Sequence, residues 1–423
     1  MIDIKLIRAE PEAFQRAAAV KNCADCIDEL LDVDRKLLSA RQELQEIKTA
    51  QNAAGKEIAQ LQGAEKQSAI ARMGDLKARA KQVGEQVEAL EPRFNELMLL
   101  VAQPPDPQVP VGKDDTENVE LRTVGEIPRF DFEPKDHMQL GEALDIIDMP
   151  RGVKLAGSRN YILKGAGGLL HQAILRLAVD QMTAKGYTLL TVPVLVNESV
   201  MEGTGYFPVG RDQAYLCERD GQALVGTAEV PVTAYHSDEI LDEADLPKKY
   251  VAMSTCFRRE AGAAGKDTYG LYRIHCFDKV EQVILGPNDR AKSVEFHQEI
   301  LRNSEDVLAA LELPYRVVNV CSGDLGQGQV QKFDIETWMP SRGSYGETHS
   351  ASRFFEFQAR RLNLRYRDGE GKLQFCHTLN NTVIASPRIL IPVLELYQNA
   401  DGSITVPPAL RPYMHGMERI TRD

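Results

Sequence analysis

Between residues 30 and 101 apolar side chains return at alternating steps of three and four. The first run is Leu30, Val33, Leu37, Ala40, Leu44, Ile47, Gln51, Ala54, Ile58 and Leu61, with Gln51 its one polar member. The second is Met73, Leu76, Ala80, Val83, Val87, Leu90, Phe94, Leu97 and Val101. This rhythm gathers apolar residues into a narrow stripe along a helix, and such a stripe leaves water only by meeting another. Gly63 and its neighbours break the pattern between the runs, so an antiparallel helical hairpin is predicted. Each helix of about 30 residues, rising 1.5 Å per residue, spans roughly 45 Å. A two-helix rod has little core, and reach is its expected purpose.

The rod is locally basic. Residues 48 to 81 hold Lys48, Lys56, Lys66, Arg72, Lys77, Arg79 and Lys81 against Glu57, Glu65 and Asp75, a local charge of +4 in a chain of net charge −12. A basic tip on an acidic protein suits phosphate contact. A solvated coiled coil of mixed charge, serving dimerisation, fits the same count, and charge alone does not choose.

After Val101 the four prolines of AQPPDPQVPVG cannot continue a helix and read as a linker. The expected division is an N-terminal helical domain at 1–103, a linker at 104–125 and a second domain at 126–423. That domain mixes strand-like runs (YTLLTVPVLV, YRVVNVC) with helical ones (LLHQAILRLAVDQMTAKG) without regular alternation. An α+β fold on a mainly antiparallel sheet is expected. No GxxxxGKS/T or strand-borne GxGxxG loop is present, so any nucleotide site must be built from side chains. No run approaches the roughly 18 apolar residues of a membrane span, and the first residues, MIDIKLIRAEPEAF, have no signal-peptide core. A cytoplasmic protein is expected, its seven scattered cysteines reduced. Cys23 and Cys26 form one CxxC pair with no second pair at zinc spacing, and a structural role is expected for them.

Chemistry concentrates in CFRREAGAAGKDTYGLYRIHCFDKVEQV, residues 256–283. Phe257, Arg258, Arg259 and Glu260 end a strand-like segment, a Gly/Ala-rich loop follows, and a second strand-like segment runs from Tyr272 to Val283. In such a hairpin an arginine can meet a phosphate while an aromatic on the other strand stacks on a base. An ordinary surface hairpin with ion pairs is the alternative. Phe-Arg-x-Glu, a long loop, then Arg-x-His-x-Phe-x-Lys-Val-Glu resembles the motif 2 hairpin of class II aminoacyl-tRNA synthetases, in its seryl-tRNA synthetase version. GTAEVPVTAYHSDEILDEADLPKKY, residues 226–250, resembles that family's serine-binding loop. HTLNNTVIASPRILIPVLELYQ, residues 377–398, resembles motif 3, a strand leading into an arginine-bearing helix. MTAKGYTLLTVPVLV, residues 182–196, is similar to motif 1, a helix and strand ending at Pro193 that build a dimer interface. With the hairpin and the closing LRPYM the resemblance spans nearly the whole chain.

It implies a class II core, an antiparallel sheet flanked by helices, and activation of L-serine by ATP and Mg2+ followed by transfer to serine tRNA in a homodimer without membrane attachment. Joining a carboxylate to ATP needs two anions brought together and the α-phosphoryl charge neutralised, which arginines and a metal do without a protein nucleophile. By resemblance Arg258 bridges the serine carboxylate and the α-phosphate, Glu260 contacts the adenine side, Phe277 stacks on adenine and Ile274 adds a contact. Arg388, opening the motif 3 helix after Pro387, holds the γ-phosphate and stacks on the other face of the base. Arg258, Glu260 and Arg388 are the expected catalytic residues. Glu347 and Ser350 are the expected Mg2+ and ATP ligands, with Arg259, Thr348 and His349 beside the nucleotide. Thr227 and Glu229 receive the serine ammonium, with Ala228 also in the serine-binding set, and Glu281 with Thr382 senses its hydroxyl. Lys48, Lys56, Arg72, Lys77 and Arg79 are expected to touch tRNA.

The match departs at two loops. Gly346, Glu347, Thr348, His349, Ser350, Ala351, Ser352 stand where seryl enzymes usually have Arg-Glu-Ile-Ser-Ser-Cys-Ser. Asn380, Asn381, Thr382 replace Asn-Gly-Ser, and Ser386-Pro387 replaces Val-Gly. His349 is either a pocket residue touching ATP or a neutral structural hydrogen-bonder. Two other functions stay open: a paralogue charging a carrier protein, which would lack the basic hairpin, and a degenerate RNA-binding or dimer module, which intact Arg258, Glu260, Glu281, Glu347 and Arg388 oppose.

Overall fold

The computed structural model describes residues 1–262 and 268–422; part of the Gly/Ala-rich loop lies outside the described residues. The chain forms two compact units, Ile2–Pro104 and Pro105–Asp423, with Met1 counted in the second.

In the first unit helices α1 (Ile27–Ile58) and α2 (Gly63–Leu100) run antiparallel. All ten residues of the first stripe and all nine of the second are buried or half-buried, as the spacing requires. Ala40, Ile47 and Val83 form the centre of the seam, with Leu44, Leu76, Ala80 and Val87 packed around them. At 1.5 Å per residue the hairpin is about 50 Å long. Lys48, Lys56, Arg72, Lys77 and Arg79 are all exposed. Cys26 is buried and offers its Sγ to the Leu97 carbonyl, and all seven cysteines are free thiols, consistent with a packing role.

The second unit is organised by an eight-stranded sheet. In chain order its elements are β1 (Val119–Val124), α3 (Gly165–Ala184), β2 (Thr188–Leu190), β3 (Lys248–Phe257), β4 (Cys276–Gly286), α4 (Arg290–Ala310), β5 (Tyr315–Asn319), β6 (Gln331–Met339), β7 (Ser344–Phe355), β8 (His377–Ser386) and α5 (Leu390–Leu396). The strand order is β1-β5-β6-β7-β8-β4-β3-β2, antiparallel throughout except for the β2–β3 pair. Long strands rich in Val, Ile and Phe supply the centre, and α3 and α4 pack on one face of it. Strand alternation assigns the faces: Gln282 and Asn381 reach the Ile300 carbonyl of α4, while Phe277, Lys279 and Glu281 point the other way. The second face is left for a site. Among the described residues no helix is long and apolar enough to cross a membrane.

Three expectations shift. The stretch read as a linker, 104–125, contains β1, the edge strand paired with β5, and Asp106, which accepts a 2.7 Å bond from buried Arg353. Proline stops helices without excluding a segment from a core. The strand expected from Tyr272 begins at Cys276, because the Leu271 and His275 amides bond to His137 and Arg159 instead of a strand partner. Arg388 lies in the turn before α5, which starts two residues later at Leu390.

Candidate active site

On the free face of β4, β7 and β8 a cavity is lined by Arg258, Glu260, Tyr272, Arg273, Ile274, Phe277, Lys279, Glu347, Thr348, His349, Ser350, Thr382 and Arg388. These positions come from four segments, and the strand register explains how they meet. On β4 every second residue faces the cavity, which brings Phe277 and Lys279 to its floor with Glu281 behind them. Thr382 pairs with Glu281 across β8 and β4, and its hydroxyl lies 3.3 Å from Glu281 Oε2.

A bulge arranges the β7 side. Ile335 faces His349 and Glu336 faces Glu347, so Thr348 is an extra residue. A bulge bends the strand and re-aims its side chains, and here the Thr348 hydroxyl lies 2.8 Å from His349 Nδ1 while Glu347, Thr348, His349 and Ser350 all line the cavity. Burial lowers the His349 pKa to about 3, so the ring is neutral. Glu347 is half exposed beside Arg388, 3.9 Å away. Desolvation pulls its carboxyl up, but Arg388, Lys332 and Arg258 outweigh that and hold it below the usual carboxylate range.

Buried acids lie behind the Lys279 and Thr382 side of the cavity. Glu229 accepts bonds from the Tyr206 hydroxyl at 2.7 Å and from Gln358 Nε2 at 2.7 Å. Its removal from water, with Glu281 nearby, raises its pKa to about 7 despite those bonds. Glu281, itself pushed up by burial, is countered by Lys279, whose Nζ is 2.6 Å from Oε2. Thr227 accepts the Glu229 amide at 3.1 Å, and Ala228 is fully buried next to it.

The arginines separate. Arg258 donates from Nε to the Gly226 carbonyl at 3.3 Å and lies 5.3 Å over the Phe277 ring. Arg388 donates to the carbonyls of Tyr272 and Glu347, each at 3.0 Å. Glu260 sits at φ 50°, a region that costs a Cβ-bearing residue energy, and its carboxylate meets Arg273 at 3.2 Å. Arg259, expected near the nucleotide, turns instead to the Asp212 carbonyl at 3.3 Å and does not line the cavity. It follows Arg258 directly, and adjacent side chains of an extended segment point apart.

Residues 215–397 match the model of the tRNA synthetase class II core domain (G, H, P, S and T), and residues 1–105 match that of the seryl-tRNA synthetase N-terminal domain. The chain belongs to the seryl-tRNA synthetase family. It is 44% identical to a serine–tRNA ligase of Deinococcus radiodurans, covering 99% of this chain and 98% of that one. It is 43% identical to the serine–tRNA ligase of Fervidobacterium nodosum, covering 98% of each. Among solved structures it is similar to the seryl-tRNA synthetase of Pyrococcus horikoshii complexed with ATP, with a TM-score of 0.94, 36% identity and full coverage of both chains. Within this seryl-tRNA synthetase fold, five residues of the site were not singled out from the sequence, among them Arg273, the partner of Glu260. Lys279 was legible, because it stands between Phe277 and Glu281 at the two-residue step of a strand face. Tyr206, Gln358 and Tyr272 were not, because each reaches the site only through tertiary packing.

Proposed function

We propose that this seryl-tRNA synthetase family enzyme activates L-serine with ATP in the cavity and then passes the seryl group to the terminal ribose of serine tRNA, with the residues in the following roles. The observation behind this is the arrangement of charge: Glu281 and Glu229 are buried behind the Thr382 and Lys279 side of the cavity, and arginines gather around Phe277.

Glu229 and Thr227 receive the serine ammonium, and the Glu281 carboxylate, tied to Lys279 and Thr382, takes the hydroxyl. A carboxylate left without that hydroxyl disfavours alanine, by roughly 10⁴-fold in sites of this kind. Arg258, between the buried acids and Phe277, neutralises the serine carboxylate and the α-phosphate and holds them in line for attack. The reaction needs no protein nucleophile: the serine carboxylate oxygen forms the bond to phosphorus and pyrophosphate leaves. Phe277 stacks on adenine, with Ile274 and Glu260 beside the base, and Arg388 takes the terminal phosphate. Glu347 and Ser350 lie three apart on the bulged strand, one carboxylate kept charged and one hydroxyl, which fits an ion completed by phosphate oxygens. These two would hold Mg2+, which neutralises phosphate charge when bound.

The exposed cations Lys48, Lys56, Arg72, Lys77 and Arg79 support tRNA binding by the helical hairpin. Exposed Leu189 on β2 and Met253 on β3, at the end of the sheet resembling motif 1, support a homodimer. A chain with these parts fits the cytoplasm. The experiment is serine-dependent pyrophosphate exchange and tRNA charging on the full chain and on a chain lacking residues 35–98. Exchange is expected to survive the deletion and charging to vanish; retained charging would contradict the role of the hairpin.

A further inference from the structure

Arg388 reaches the cavity from a turn, and a turn alone does not fix a long side chain. Two of its nitrogens are fixed by backbone carbonyls, Nε by Tyr272 and Nη1 by Glu347, both at 3.0 Å. Its guanidinium lies 4.4 Å from the centroid of the Tyr272 ring, and that of Arg342 lies 4.3 Å from the same centroid. Tyr272 forms the wall between the main cavity, lined by Arg388, and a neighbouring recess lined by Arg342.

The ring has room because residue 346 is glycine. A Cβ there would lie 3.0 Å from Tyr272 Cε2 and 3.1 Å from Met339 Sδ. The backbone on either side is anchored to one buried carboxylate. Glu395 Oε1 accepts from His137 Nδ1 at 2.8 Å, and His137 Nε2 accepts the Leu271 amide at 3.3 Å. Glu395 Oε2 accepts the Ser341 amide at 2.9 Å. Leu271 and Ser341 directly precede Tyr272 and Arg342, so one fully buried group sets the placement of both. This network lies outside the contacts assigned to either substrate.

We infer that Tyr272 is a positioning residue for ATP binding: its ring and carbonyl hold Arg388 in the orientation that meets the phosphates, and Gly346 leaves the space for that ring. The inference rests on the assignment of the main cavity to ATP. A planar guanidinium held against an aromatic face loses little freedom when it binds, and a lost cation–π contact of this kind corresponds to about tenfold in affinity.

The test is calorimetric titration of ATP into the full-length protein as wild type, Tyr272→Ala, Tyr272→Phe, Arg388→Lys and the Tyr272→Ala/Arg388→Lys double variant, with serine KM measured by pyrophosphate exchange. Tyr272→Ala is expected to weaken ATP about tenfold. Tyr272→Phe, which keeps the ring, should recover to within about threefold of wild type, and serine KM should change less than about twofold in both. In the double variant the alanine should add nothing beyond Arg388→Lys, because the group it positions is already altered. Gly346→Ala should act in the same direction, by about threefold. Equal losses in both Arg388 backgrounds, or phenylalanine as damaging as alanine, would overturn the positioning role while leaving the ATP assignment intact. A wild-type protein that does not bind ATP would overturn the assignment and the inference together.

Discussion

The buried acids behind the cavity and the arginines that line it handle charge in opposite ways. Glu229, Glu281 and Lys279 are almost wholly buried, and each is already paired: Glu229 with Tyr206 and Gln358, Glu281 with Lys279 and Thr382. On the other side Arg258 and Arg388 rest on backbone carbonyls and aromatic rings; of the two acids among the arginines, Glu260 is paired with Arg273 and Glu347 is half exposed. Buried, pre-paired charges are costly to disturb, so they discriminate between small ligands that differ by one hydroxyl. Cations seated on rings keep most of their charge for an incoming anion, so they suit a triphosphate. Selectivity and transition-state stabilisation are thereby assigned to different sides of one site.

That contrast can be broken from either side. The largest effect is expected for Arg258→Ala, the one group placed to act on both substrates: serine-dependent pyrophosphate exchange should fall by about 10³-fold or more. Next is Glu281→Gln, for which kcat/KM for serine should drop about 10²-fold while ATP KM moves little; exchange measured with serine and alanine should show the preference between them shrinking. If ATP KM rose instead, the two sides would not be separate.

The acid limb of the pH profile sharpens the same point. Glu229 has its pKa raised to about 7 in the free protein by burial and by Glu281. Below that pH it is protonated and neutral and cannot pair with an ammonium group; above it the carboxylate is available. The kcat/KM for serine should therefore fall toward acid pH, by up to about tenfold per pH unit below 7, and Glu229→Gln should abolish that limb. A pH-independent kcat/KM for serine between 6 and 8 would argue against Glu229 as the ammonium partner. The smallest effect is expected on the hairpin: Arg79, exposed and 2.6 Å from Glu43, is one of several cations, so Arg79→Ala should raise tRNA KM by less than about tenfold and leave exchange untouched.

Legibility followed the range of the interactions. The hairpin was readable because Leu30 to Leu61 and Met73 to Val101 repeat with a helical period, a local signal that the packing keeps. The sheet and the meeting of Arg258, Phe277, Glu347 and Arg388 were reachable through the resemblance of three segments. Local pattern failed where a partner distant in sequence decided the geometry. Tyr272 and Ile274 alternate like a strand, yet His137 and Arg159 take the flanking amides. The proline-rich run after Val101 looks like a tether, yet it leads into an edge strand beside β5. Nothing near Glu347 announces the bulge at Thr348 that turns four consecutive residues toward one cavity.

The proposed reaction depends on one triphosphate held between two arginines that come from different strands' ends. A crystal structure of the protein with ATP and Mg2+ tests it most directly. Adenine over Phe277, Arg258 on the α-phosphate, Arg388 still against Tyr272 with its remaining edge on the terminal phosphate, and Glu229 and Glu281 clear of the nucleotide are the expected result. Nucleotide bound elsewhere, or bound with both arginines turned out of the cavity, would contradict it.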